Sequence, residues 1–193
     1  MAKWGKCSFD GLKELQKRLE KIEQEELIRF IEDCAKDLAR RLLTMVIMRT
    51  PVGDRPEYDG DSEEDREWYD KYWGGYTGGT LRRGWTAQTH EEAAAGEGEP
   101  TAAEILEYAN GLKISHMGSL YTIEIINPVE YASYVEYGHR QQKGRYVPAI
   151  GKRLVKNWQP GRFMLTISEK SIKGMAPKLI EKKLTKWLEE VFA

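Results

Sequence analysis

Histidine and cysteine are scarce in this chain, with three of the first and two of the second among 193 residues. Cys7 and Cys34 are too few for a disulfide framework, which makes a reducing compartment the default expectation. His90, His116 and His139 fall in three separate elements. No His-x-x-x-His, Cys-x-x-Cys or His-Glu-x-x-His spacing occurs, so a zinc centre has no support. A Gly-x-Ser-x-Gly elbow is missing too, and Gly74-Gly75 and Gly78-Gly79 lack the following Lys-Ser/Thr of a phosphate-binding loop. The densest apolar stretch, residues 42–48, is far short of the roughly 20 residues that span a bilayer. Residues 1–10 carry no apolar run of the signal-peptide kind. The expectation is a soluble chain made inside the cell, not an enzyme, with no cofactor, no metal and no membrane contact.

Net charge is also small, 30 basic side chains against 31 acidic, which argues against a globally charged nucleic-acid binder. The charges are segregated, however. Residues 1–50 carry 11 basic and 9 acidic side chains, residues 51–110 carry 5 and 15, and residues 111–193 carry 14 and 7. Blocks of opposite sign point to complementary surfaces, within a subunit or between subunits.

Periodicity outlines the elements. Lys6 to Phe9 fits a short edge strand, and Asp10 fits the cap of a helix bearing Leu12, Leu15, Leu19 and Ile22 on one face. The phase slips at Gln24-Glu25-Glu26 and resumes at Leu27, Ile31, Cys34, Leu38, Leu42 and Met45, which predicts a bend or two helices. Pro51 ends the run. Residues 53–80 read as an expanded loop with an exposed acidic half, including Glu63, Glu64 and Asp65, and a docked aromatic half centred on Trp68 and Trp73. Leu81 to Thr89 reads as a strand, residues 91–100 as a turn region, and Thr101 with Glu104 as a capping box. A hairpin is predicted through Met117-Gly118-Ser119, and a helix over residues 129–137 closed by Gly138. Residues 139–160 read as a second loop. From Phe163 the chain reads as helix, divided near Gly174 and Pro177.

Three segments invite chemistry. Asp59, Asp61 and Glu63 imitate the start of a calcium loop, but position six is Glu64 where glycine is required, and position twelve is Asp70; a solvated acidic loop is the better reading. Residues 139–162 hold Arg140, Lys143, Arg145, Lys152, Arg153, Lys156 and Arg162 without an acid, interleaved with Tyr146 and Trp158. That pattern suits a phosphate backbone or single strand, an acidic protein surface, or solvent alone. Glu136 has no acid/base partner and gives no mechanism. Its helix would bury Tyr131, Tyr134 and Val135 and leave Glu136 at the surface, with Arg82 or Arg83 as ion partner.

The order of these pieces resembles one family. Thr50-Pro51-Val52 ends a long helix, Thr77-Gly-Gly-Thr-Leu81-Arg-Arg-Gly-Trp85 follows, then Tyr131-Ala-Ser-Tyr134-Val-Glu136-Tyr-Gly138, then Pro160-Gly-Arg-Phe163-Met-Leu165. From about residue 9 to the C-terminus this resembles the tail-completion (neck) proteins of tailed phages, which include minor tail protein Z-like and XkdI-like chains. Two departures stand out: about two dozen extra residues after Val52, and a long loop after Arg140. The resemblance implies one α+β domain over residues 1–193, with long N- and C-terminal helices packed on a small, mostly antiparallel sheet. The acidic aromatic insertion at about 53–80 and the basic loop at about 139–162 would interrupt it. It also implies a structural virion protein, assembled in the bacterial host cytoplasm. That protein would form a hexameric ring at the head-proximal end of a tail or tail-like particle and contact tail-tube or terminator subunits and head-connector proteins. Residues 139–162 would then face the acidic insertion of a neighbouring copy, or DNA in the lumen; a small nucleic-acid-binding module is the alternative.

Overall fold

The structure is a computed structural model that describes residues 24–53, 57, 58, 60 and 62–192. The strand, cap and first helix expected over residues 6–22 lie outside the described residues, as do Cys7, Asp54, Asp59 and Asp61. The architecture is α+β. Helices α1 (Gln24–Arg49), α2 (Glu63–Trp73), α3 (Thr80–Arg83), α4 (His90–Ala95) and α5 (Ala102–Gly111) lead into hairpin β1 (Ile114–Met117) and β2 (Leu120–Ile123). Helix α6 (Ala132–Tyr137), strands β3 (Gly138–Arg140) and β4 (Tyr146–Val147), a 3₁₀ turn (Pro148–Ile150), and strands β5 (Lys152–Arg153) and β6 (Trp158–Pro160) follow. Helix α7 (Met164–Phe192) comes last.

The core lies where α1 meets α5 and α7. It is built from Leu43, Val46 and Ile47 of α1, Leu81, Trp85 and Ala87 around α3, Ala93 of α4, Ile105 and Ala109 of α5, Val129, and Met164 of α7. The deepest face of α1 is rotated about one residue from the expected stripe: Leu38, Leu42 and Met45 are half-buried and Leu27 is exposed. Helices pack on α1 from more than one side, so its apolar positions are shared among neighbours.

Local capping explains several elements. Thr101 and Glu104 form the expected reciprocal box on α5, with Glu104 N–H to Thr101 Oγ1 at 3.2 Å and Thr101 N–H to Glu104 Oε2 at 2.7 Å. The segment read as an expanded loop contains α2, because Ser62 and Asp65 make a second such box and Glu63, Glu64 and Asp65 sit in its first turn. Residues 81–89, expected as a strand, contain none: Thr80–Arg83 form one helical turn, and turns and bends follow to residue 89. Leu81 and Trp85 are four residues apart, so a helical turn brings both inward as well as strand alternation would. Residues 90–95 form α4 within the predicted turn region, capped by Thr89. The β1–β2 register pairs Ile114 with Ile123 and Met117 with Leu120, and turns at Gly118, whose φ is 61°.

Helix α7 runs through Gly174 and Pro177 without dividing. Proline removes one backbone bond there. Contacts with α1 hold the C-terminal side of the proline: Phe30 stacks on Trp187 at 5.0 Å between ring centroids, and Lys183 Nζ lies 3.6 Å from Asp37 Oδ2. Residues 139–160, expected as a loop, form with Gly138 an antiparallel arm of two short ladders. Gly138 pairs with Pro160 and Arg140 with Trp158 at its root, and Tyr146 pairs with Arg153 beside its tip.

Candidate interaction surface

Thr50, Trp85 and Glu136 of the signature are internal joints, whereas Tyr131, Tyr134 and Phe163 are exposed. Thr50 is fully buried at the end of α1. Its hydroxyl donates to Val46 O at 2.7 Å and accepts the indole N–H of Trp85 at 2.8 Å, while Arg82 Nε donates to the Thr50 carbonyl at 2.6 Å. The Thr-Pro turn and the Leu-Arg-x-x-Trp segment therefore lock each other. Asn127 adds a second joint, donating to Leu81 O at 2.9 Å and accepting Val129 N–H at 3.1 Å.

Glu136 makes the third; Val135 packs against the core as expected, but the expected places of Tyr131, Tyr134 and Glu136 are reversed. Glu136 is buried, whereas Tyr134 is 58% and Tyr131 42% exposed. The Glu136 carboxylate accepts Leu165 N–H at 3.0 Å, Thr166 N–H at 2.9 Å and the Thr166 hydroxyl at 2.7 Å. It caps α7 from another helix, satisfying amides that the first turn leaves free and placing negative charge at the positive end of the helix dipole. Arg82 and Arg83 are committed elsewhere. Arg82 pairs with Glu99. The buried Arg83 donates to Ala93 O at 2.8 Å and Gly98 O at 3.0 Å. Gly138, at φ 82°, and Gly161 lie against backbone that a Cβ would strike, and Phe163 takes φ 51° to enter α7. No helical periodicity reveals such a cap; the signal was Glu136 beside Gly138, with Pro160-Gly161 opening α7.

What remains at the surface is the arm. Arg140, Lys143, Arg145, Lys152, Arg153 and Lys156 are all exposed on it, as are Tyr146 and Trp158, with Arg162 exposed just past its root. Among the described residues none of these cations enters an ion pair. Arg153 alone bonds within the arm, to Gly144 O at 2.9 Å, and lies 5.9 Å from the Tyr146 ring centroid. The aromatic half of the insertion docks on the arm's tip, as Trp68 Nε1 donates to Pro148 O at 3.0 Å and Trp73 Nε1 to Ala149 O at 2.8 Å. The two inserted segments thus meet within one chain through indole donors, while Glu63, Glu64 and Asp65 stay exposed.

A second surface is concave. Helices α4 and α5 and the residues between them enclose a groove of about 470 Å³ whose rim carries Glu92, Glu97, Glu99, Glu104 and Glu107. Glu92 and Glu104 serve as caps and Glu99 pairs with Arg82, leaving Glu97 and Glu107 without a bonded partner among the described residues. Burial, and then the charge of Glu92, push the Tyr108 phenol above its ordinary range in this groove. Among the described residues no cluster of His, Cys, Asp or Glu could hold a metal, and no helix is long and apolar enough to cross a membrane.

Residues 13–138 match the model of the HK97-gp10-like family, described as "Bacteriophage HK97-gp10, putative tail-component". The chain belongs to that family. Its resemblance to phage tail proteins, drawn from Thr50, Leu81, Trp85, Tyr131 and Glu136, and the family match therefore agree on a phage tail component, a part of the virion. No curated protein and no solved structure matches the chain. In this HK97-gp10-like chain the matched segment ends at Gly138, the first residue of the arm, so the rest of the arm, Phe163 and α7 lie beyond it.

Proposed function

We propose that this tail component forms a closed ring at the head-proximal end of a phage tail or tail-like particle, completes the tail and joins it to the head connector. The carrying observation is the division of labour among residues. Thr50, Trp85, Asn127 and Glu136 are bound up in internal joints, while the arm presents unpaired cations and exposed aromatics on a paired root. Such a division suits a scaffold that offers surfaces to partners; its role is geometric and non-catalytic. A sixfold ring with different faces toward tail and head is the expected assembly. The test is the mass of the purified protein, alone and with its tail-tube subunit, together with its position in the particle. A ring at the head-proximal end is expected. A monomer within particles, or a location at the distal tip, overturns the reading.

One observation favours a second reading. Unpaired cations interleaved with Tyr146 and Trp158 also suit nucleic acid, with stacking on the rings and neutralised phosphates. Strong salt-dependent DNA binding by the isolated protein would select it.

A further inference from the structure

The arm and the groove are opposite in charge, opposite in shape and unconnected within the chain. Seven cations with no acid occupy residues 139–162. The groove between α4 and α5 is rimmed by five glutamates, two of them unpartnered. Among the described residues no hydrogen bond or ion pair joins arm to groove, and the two share no residue. Among the described residues, then, neither surface covers the other.

We propose that the arm of one copy seats in the α4–α5 groove of the next. This rests on the ring reading and specifies the contact that would build it. A surface that docks into a different surface of an identical copy is heterologous, and repetition of such a contact closes a ring when the rotation permits. The exposed Tyr146 and Trp158 of the arm would supply the large apolar contacts that anchor interfaces, and its lysines and arginines would face a carboxylate rim. The α2 clasp favours this role: Trp68 and Trp73 hold the tip at Pro148 and Ala149, which lowers the ordering cost of docking a long hairpin. Charge decides the occupant. A nucleic acid would suit the arm but not the groove, whereas a second copy satisfies both surfaces at once.

The test uses side chains with no bonded role within the fold. Lys152→Glu with Lys156→Glu reverses the arm, and Glu97→Lys with Glu107→Lys reverses the groove. Oligomer mass is followed by light scattering and native mass spectrometry across protein concentration and salt. Each pair alone is expected to weaken self-association about tenfold or more, since two facing pairs become repulsive. Mixing the two variants is expected to restore assembly, because each reversed arm then meets a reversed groove on the other chain. Circular dichroism of each variant should match the unaltered protein. A wild-type ring whose mass ignores both variants overturns the arm–groove contact and leaves the ring standing. A wild-type chain that stays monomeric even with its tail-tube subunit overturns both. Rescue of the arm variant by Glu63→Lys with Glu64→Lys, and not by the groove variant, assigns the acceptor to α2 of the neighbour and overturns the proposal. Loss of DNA affinity without change in oligomer mass assigns the arm to nucleic acid and does the same.

Discussion

The carboxylate of Glu136 holds Thr166 twice, accepting its amide at 2.9 Å and its hydroxyl at 2.7 Å across 30 residues of sequence. One side chain thus fastens the end of α6 to the start of α7. Glu136→Ala is expected to destabilise the protein by about 2–3 kcal/mol, combining a lost cap with charge-assisted hydrogen bonds. Tyr134→Ala, at an exposed position, should cost less than about 1 kcal/mol. Urea unfolding of both variants checks the order. Equal losses would mean that Glu136 does not carry the joint.

Thr50 and Trp85 make another such joint, between the end of α1 and the residues after α3. Thr50→Val keeps the shape but leaves the buried indole N–H of Trp85 without an acceptor, at an expected cost of about 1–3 kcal/mol. Trp85→Phe removes the donor and part of the packing. A double-mutant cycle should show coupling of about 0.5–3 kcal/mol between the two positions. Simple additivity would contradict the bond.

The α2 clasp should act locally. Trp68→Phe with Trp73→Phe keeps the rings and deletes both donors to Pro148 and Ala149. Amide exchange is expected to quicken in residues 62–76 and 146–153 while α1 stays protected, since the core does not include either segment. Uniform acceleration through α1 would show that the clasp supports the whole fold.

Asp37 ties α7 to α1 and should shape the acid limb of stability. Burial raises its pKa, but hydrogen bonds from Arg40 and Arg41 and the charge of Lys183 outweigh burial and hold it below the ordinary value of 3.8. A carboxylate with a depressed folded pKa contributes stability above its unfolded pKa, and that contribution is lost as pH falls through the folded value. Asp37→Asn is therefore expected to lower stability at neutral pH and to flatten its decline below about pH 4. An unchanged acid limb in thermal melts would refute the assignment.

Much of the local structure was legible in the sequence because its causes lie a few residues apart. Thr101 and Glu104 define a cap at a spacing of three, Pro51 stops α1, and Gly118 and Gly138 mark turns through their positive φ. The α+β class and the phage-tail resemblance followed from the order of such pieces. The aromatic half of the insertion was also recognisable as docked, from its composition alone. Tertiary structure decided the rest, since the deciding contacts join distant segments. Leu81 to Trp85 fits a strand or a helical turn equally well by pattern, and the bonds of Arg82 to Thr50 and Arg83 to Ala93 and Gly98 accompany the turn. Tyr134 and Glu136 sit on opposite sides of a short helix, and α7 selects the buried side by offering amides that the Glu136 carboxylate accepts. Composition alone assigns the aromatic side to the interior. The free amides at the start of α7 outweigh that preference here, since Glu136 satisfies them while the tyrosines stay at the surface.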